Sequence, residues 1–213
     1  GRSINKKQLS DKYTIDYESN GAIYQYNLNN IQQVSCGQYA SYYINNDNEL
    51  YTFGSNYSGQ LGINKISGSY GNFNHLNGYN VVHVSAGSSH VLIVTKDNHL
   101  FGFGYNLDGQ CGNKVREYLR APKQTGMDIP GTIIDVKCGI LQTFIRTDSN
   151  NWYSCGKNDN NMLLLSKVNN AYPKSICIPK LVNKDYIMEM TGNNNEIIDI
   201  IPAYENTFIL QKA

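Results

Sequence analysis

A chain of 213 residues is long enough for one globular domain, which buries roughly 70 per cent of the surface its unfolded form exposes. With 18 lysines and arginines against 17 aspartates and glutamates, the net charge of +1 gives no electrostatic footprint for nucleic acid. No apolar run approaches 18 residues and no apolar signal-peptide core stands near Gly1, so neither a membrane span nor secretion is suggested.

Residues 1–17 read as an N-terminal arm, weakly basic through Arg2, Lys6, Lys7 and Lys12, and better taken as a solvated tail than as a DNA contact. Residues 18–27 contain NGAIYQY, Asn20 to Tyr26, which resembles the hairpin and outer strand of the repeat that follows. The first full unit starts near 31. Its segment Val34 to Gly54 aligns without a gap on Val84 to Gly104 of a second unit starting near 81, and GSNYSGQLG (Gly54 to Gly62) returns as GYNLDGQCG (Gly104 to Gly112). A third unit, near 133, keeps Gly139 and Gly156 at the separation of 17 found between Gly37 and Gly54 and between Gly87 and Gly104. Beyond Gly156 it drifts: Asn158 stands where Asn56 and Asn106 stand, but Asn161 and Leu164 replace the turn glycines. A fourth unit opens near 197 and is cut off halfway.

Val34, Val84, Val136 and Ile200 are separated by 50, 52 and 64 residues, which indicates propeller blades rather than helical repeats. Runs such as Leu50 to Phe53 and Val91 to Thr95 are β-branched, aromatic and short, and are bounded by Gly, Asn and Asp, as strands are. Asp47 to Glu49 and Asp97 to His99 fall between two such runs and close hairpins, because Asn and Asp tolerate left-handed backbone angles. Gly54, Gly59, Gly62, Gly104, Gly109 and Gly112 then serve the loop that leaves the second strand of the hairpin, and no stretch shows sustained helical periodicity. The expected fold class is all-β, a β-propeller of about four blades.

Catalytic and metal chemistry find no support. Cys36 and Cys138 align with Ala86, Cys111 with Leu61, and Cys155 with Phe53 and Phe103, so these thiols read as buried, reduced core residues, and only Cys177 lacks an equivalent. His90 reads as a packed, hydrogen-bonded side chain, while His75, His83 and His99 have no partner pattern. No Ser-His-Asp set, HExxH or P-loop is present, and the glycine-rich loops leave strands for turns rather than helices. No catalytic residue, metal ligand or cofactor is expected.

The pattern Val84, Gly87, His90, Asp97, Leu100, Gly104, Asn106, Gly109, Gln110 and Gly112 resembles the repeat of the regulator of chromosome condensation family. The family usually has Trp before the second repeat glycine, where this chain has Phe53, Phe103 and Cys155; the histidine survives only as His90, with Ala40, Gln142 and Asn206 elsewhere. Family rings typically have seven blades, and four units supply a little over half of that. Three arrangements stay open: a closed ring of four blades, one of them composite from the two chain ends; a segment of a longer protein; or a homodimer in which two chains complete one propeller. The resemblance implies a binding face just after each first glycine (Gly37, Gly87, Gly139), made of Gln38, Tyr39, Ser88, Ser89, His90, Ile140, Leu141, Gln142, Tyr204 and Glu205. It also implies a protein partner, with a Ran-type small GTPase and non-covalent nucleotide exchange as the alternative to plain protein binding. The implied location is cytosolic or nuclear, or a host cytosol for a bacterial chain. Only Glu205 in this set is acidic, whereas the exchange reading leans on acidic side chains.

Overall fold

In a computed structural model, residues 2–5, 12–19, 22–65, 74–204 and 206–212 are described, with side chains described from 30 onward. The repeat register becomes a series of antiparallel sheets. The first blade contains β4 (Ile31–Cys36), β5 (Ala40–Asn45), β6 (Leu50–Gly54) and β7 (Asn74–Leu76) in chain order, with β1 (Arg2–Asn5) added beside β4. Residues 2–5, assigned from sequence to a solvated arm, are therefore a paired strand, Arg2 lying opposite Cys36. The second blade is β8 (Val81–Ala86), β9 (His90–Thr95), β10 (Leu100–Gly104) and β11 (Leu119–Thr125), and the third is β12 (Ile133–Cys138), β13 (Gln142–Thr147), β14 (Trp152–Lys157) and β15 (Ser175–Leu181). Then follow α1 (Lys184–Thr191) and a hairpin of β16 (Ile197–Pro202) with β17 (Thr207–Gln211).

The join between chain ends that would make a composite blade within one chain is not formed. β2 (Lys12–Ser19) pairs with β3 (Ala22–Asn29), and β16 pairs with β17, in two separate two-stranded sheets. The helix α1 is a second departure. Asn183 caps it by accepting from the backbone N–H groups of Asp185 (2.9 Å) and Tyr186 (3.2 Å), and Gly192 ends it in the left-handed conformation. Eight residues give too few turns for a periodic signal, and their insertion before β16 accounts for the long spacing of 64.

The core lies between blades. Tyr42, Ile44, Leu61, Val91, Ile93 and Phe103 fill the layer between the first and second blades, and Leu92, Val94, Val136 and Ile145 fill the next. β9 therefore buries alternate residues against opposite neighbours, which is why its sequence is a continuous apolar run rather than an alternation. Phe144, Trp152, Leu163, Ile187 and Ile200 form the third layer. First strands are also tied across blades by polar side chains. The Gln33 amide donates to the Val84 carbonyl (3.1 Å) and accepts from its N–H (2.9 Å), Ser35 Oγ accepts from Ala86 N–H (3.0 Å), and Ser85 Oγ accepts from Cys138 N–H (3.0 Å). Lys137 pairs with Asp199 of β16.

Cys111, Cys138 and Cys155 are buried, and burial pushes each thiol above its usual range. Cys36 is instead exposed. Its equivalents Ala86 and Cys138 are covered by the serines of a preceding blade, and among the described residues no blade precedes the first.

Candidate protein-binding face

Each blade's first and second strands are joined by a tight loop that opens on a glycine, and these loops are locked locally in the same way. Gly37 N–H donates to the Ala40 carbonyl, Gly87 N–H to that of His90, and Gly139 N–H to that of Gln142, each at 2.8 Å; Ala203 N–H donates to the Asn206 carbonyl at 2.9 Å. The third strand fastens the loop tips. Ser55, Tyr105 and Lys157 donate backbone N–H groups to the carbonyls of Tyr39 (2.8 Å), Ser89 (2.8 Å) and Leu141 (2.9 Å).

Neighbouring loops are in turn bonded to one another. Gln38 N–H reaches the Ser88 carbonyl at 3.1 Å, Ser88 Oγ donates to Gln38 Oε1 at 2.6 Å, and Ser88 N–H reaches the Ile140 carbonyl at 3.4 Å. The approach leaves no room for a side chain. A Cβ on Gly37 would lie 2.7 Å from the Gly87 carbonyl oxygen, one on Gly87 would overlap the Gly139 carbonyl oxygen, and one on Gly139 would lie 3.3 Å from that of Ala203. Four loops from four sheets thus form one continuous strip.

On this strip Gln38, Tyr39 and Tyr204 are exposed, and Ser88, Ser89, Ile140 and Leu141 are partly so. Two members of the expected face are not on it. His90 is buried, its Nε2 lying 3.0 Å from Thr143 Oγ1, whose own proton goes to the Gln110 carbonyl at 2.8 Å; the ring is therefore the Nε2–H tautomer. Its ring occupies the space above Gly87, and burial holds its pKa down at about 3, so it is a neutral packing group. Gln142 is also buried, with its Nε2 against Met162 Sδ at 2.9 Å. Both begin a second strand and point inward from it. Glu205 lies outside the described residues.

The third blade and the β16–β17 hairpin leave a notch of about 220 Å³ on the strip, lined by Ile140, Leu141, Lys157, Asp159, Met162 and Tyr204. Lys157 Nζ pairs with Asp159 at 2.6 Å at its rim. Sequence reasoning missed Lys157, Asp159 and Met162, because they follow Gly156 in the drifted turn. Among the described residues no three His, Cys, Asp or Glu side chains gather as a metal site, and no helix is long and apolar enough to cross a membrane.

The second recurring feature, the loop after the third strand, is an internal brace. Asn56, Asn106 and Asn158 each accept from a backbone N–H five residues on, Leu61 (2.9 Å), Cys111 (2.8 Å) and Leu163 (2.9 Å), and donate to a carbonyl further along the loop. Residues 31–60 and 81–110 match the regulator of chromosome condensation (RCC1) repeat in one family model, and 47–94 match it in a second. Residues 31–110 carry regulator of chromosome condensation repeats. The third blade lies outside the matched residues, although its backbone repeats the other two.

Solved structures of such propellers resemble this one. Yeast RCC1 (Prp20) bound to Kap60 superimposes with a TM-score of 0.72 at 17% identity, over 92% of this chain and 48% of that one. For Prp20p from Saccharomyces cerevisiae the values are 0.71, 18%, 90% and 46%, and for human WBSCR16 they are 0.69, 17%, 86% and 45%. The chain spans a little under half the length of each. No curated protein sequence matches it. The fold is a regulator-of-chromosome-condensation-like partial propeller.

Proposed function

We propose that this chain binds a protein partner through the loop strip, without covalent chemistry. The observation that carries the reading is the continuity of the strip: backbone hydrogen bonds from Gln38 to Ser88 and from Ser88 to Ile140 hold separate loops at fixed spacing. Such a surface is preorganised, so a partner does not have to order it on binding. Tyr39 and Tyr204, 55% and 70% exposed, offer aromatic contact area on either side of the partly apolar pair Ile140 and Leu141.

A narrower reading is favoured by one comparison. Prp20p is described by its binding properties to Gsp1p and histones, and yeast RCC1 (Prp20) is solved bound to Kap60. On that analogy the strip engages a Ran-type small GTPase and prefers its nucleotide-free form, shifting its population toward release. No described, exposed residue between the first and second strands is acidic, which favours plain binding over exchange.

The test is titration of purified Ran-type GTPase, and separately of histones, onto the protein, with release of a fluorescent guanine nucleotide followed in parallel. Binding that weakens at least tenfold in Tyr39→Ala/Tyr204→Ala supports the strip as the binding face. Binding unchanged by that pair places the interaction elsewhere. Faster nucleotide release that is lost in the same variant supports the exchange reading, and unaltered release at micromolar protein removes it for that GTPase.

A further inference from the structure

The net charge of +1 is unevenly divided between the two ends of the strands. Hairpins joining second to third strands carry Asp47, Glu49, Asp97 and Asp148 against Lys96. Antiparallel order puts the loops after the third strands at the opposite end, beside the strip, and there the exposed charges are mainly basic. Lys65, Lys114, Arg116, Lys167 and Lys174 stand against Glu117, Asp159 and the partly buried Asp108. Two of these carboxylates are already engaged, Asp159 with Lys157 at 2.6 Å and Glu117 with Lys123 at 3.4 Å.

At the junction of the second and third blades one arginine is fixed in place. Asn106 Nδ2 donates to the Val115 carbonyl (2.6 Å), which folds the loop so that Leu107 and Arg116 are neighbours. The Arg116 guanidinium donates through Nη1 to the Leu107 carbonyl (3.0 Å) and through Nη2 to Ser175 Oγ of β15 in the next blade (2.8 Å). A guanidinium has five N–H donors, so the exposed side chain keeps donors to spare in a set orientation. Lys174, also exposed, adjoins Ser175, and among the described residues neither cation is paired with a carboxylate. Apolar surface lies alongside: Leu107 is 39% and Tyr118 43% exposed, and Tyr105 meets Tyr118 edge-on with ring centres 5.6 Å apart. The cluster is continuous with the strip, because the Tyr105 N–H donates to the Ser89 carbonyl and the Lys157 N–H to that of Leu141.

We infer that the binding face continues outward over this junction and takes an acidic segment of the protein partner. Carboxylates of the segment pair with Arg116 and Lys174, and an apolar side chain lies on Leu107 and Tyr118. The inference rests on the strip being the binding face and gives its partner a chemistry. A guanidinium matches a carboxylate in geometry as well as charge, and one already held by its neighbours loses little freedom on binding. Arginine beside tyrosine is also the composition of an interface hot spot. Nucleic acid fits less well, since a duplex presents a charge every ~1.7 Å whereas Asp108, Glu117 and Asp159 interrupt the basic groups. The acidic hairpin tips repel the same segment, which steers it to the strip end.

Fluorescence anisotropy on the full chain tests this, with a labelled twelve-residue peptide alternating Glu-Asp pairs with Leu, its Gln-Asn counterpart, and a single-stranded oligonucleotide of equal charge. The acidic peptide is expected to bind saturably, to weaken at least tenfold in Lys114→Glu/Lys174→Glu and in Arg116→Gln, and to keep its affinity in Lys96→Glu. Equal affinity for the Gln-Asn peptide, tighter binding of the oligonucleotide, no saturation by about 1 mM peptide, or indifference to the substitutions overturns the inference. Arg116→Gln also breaks the bond to Ser175, so the near-UV signal of Trp152 is checked first, and Lys114→Glu/Lys174→Glu decides if that variant does not fold. The two readings fail separately. Partner binding unchanged by Tyr39→Ala/Tyr204→Ala overturns the strip, whereas a tenfold loss there, with peptide binding indifferent to Lys114→Glu/Lys174→Glu, overturns only its extension.

Discussion

Replacing Gly109 by asparagine, the residue type that the third blade carries at the equivalent position 161, isolates why the turn needs glycine. Gly109 has φ +83° and Asn161 has φ +57°, so both hold left-handed backbone, which asparagine adopts at little cost. Their surroundings differ. A Cβ on Gly109 would lie 2.5 Å from Cys177 Cα and 2.8 Å from the Ile176 carbonyl oxygen, both backbone atoms of β15, and one on Gly59 would lie 2.8 Å from Arg120 Cα and from the Leu119 carbonyl oxygen of β11. Asn161 meets no such strand, because the fourth unit has only β16 and β17 among the described residues. The cost of Gly109→Asn is therefore the cost of moving a packed strand, about 1–3 kcal/mol for overpacking in a close-packed interior. For a chain of this size that lowers Tm by roughly 2–4 °C per kcal/mol. Thermal unfolding followed by the fluorescence of Trp152, 1% exposed in the third blade, reads the shift. A Tm within about 1 °C of the unaltered protein would refute the argument that strand approach, rather than backbone angle, fixes the glycine.

Burial keeps His90 neutral, with its pKa lowered from 6.5 to about 3. The unfolded chain then binds the proton that the folded chain refuses, so the His90 contribution is complete above pH 6.5 and lost as pH falls toward 3, with a limiting slope of about 1.4 kcal/mol per pH unit; denaturant titrations at pH 7, 5.5 and 4.5 should show it, and His90→Gln should flatten that part of the profile. Asn106→Ala leaves the Cys111 N–H and the Val115 carbonyl without their partner, and is expected to cost about 2–4 kcal/mol in urea unfolding, against less than about 0.5 kcal/mol for the exposed Tyr204→Ala. Of the five thiols, Cys36 should react with a thiol reagent in the native protein within the mixing period, while Cys111, Cys138 and Cys155 should react only on unfolding, and fast labelling of all five would contradict the burial pattern.

The blade register was legible in the sequence because it rests on local chemistry. Asn48, Asn98 and Asn150 hold the hairpin tips with positive φ, and Asn56, Asn106 and Asn158 brace the loops, each within a few residues of the groups it serves. The loop strip was legible one step removed, since aligning Gly37, Gly87 and Gly139 names its members but not their orientation. His90 and Gln142 illustrate the limit: alignment puts them beside the exposed tips, yet the strand start turns them toward Thr143 and Met162. Cys36 was misjudged for a non-local reason, as register equates it with buried residues while its cover comes from a neighbouring blade. The helix α1 escaped notice because a capped helix of eight residues carries its signal in Asn183 and Gly192 rather than in periodicity.

The claim on which the account depends is that the loops after the first glycines form one binding face. Hydrogen exchange measured with and without a bound GTPase or histone partner tests it most directly. The account predicts new protection at 37–39, 87–89, 139–141 and 203–206 together, with no change at the hairpin tips around Asn48, Asn98 and Asn150 at the other end of the same strands. Protection centred on those tips, or on one loop alone, would contradict it.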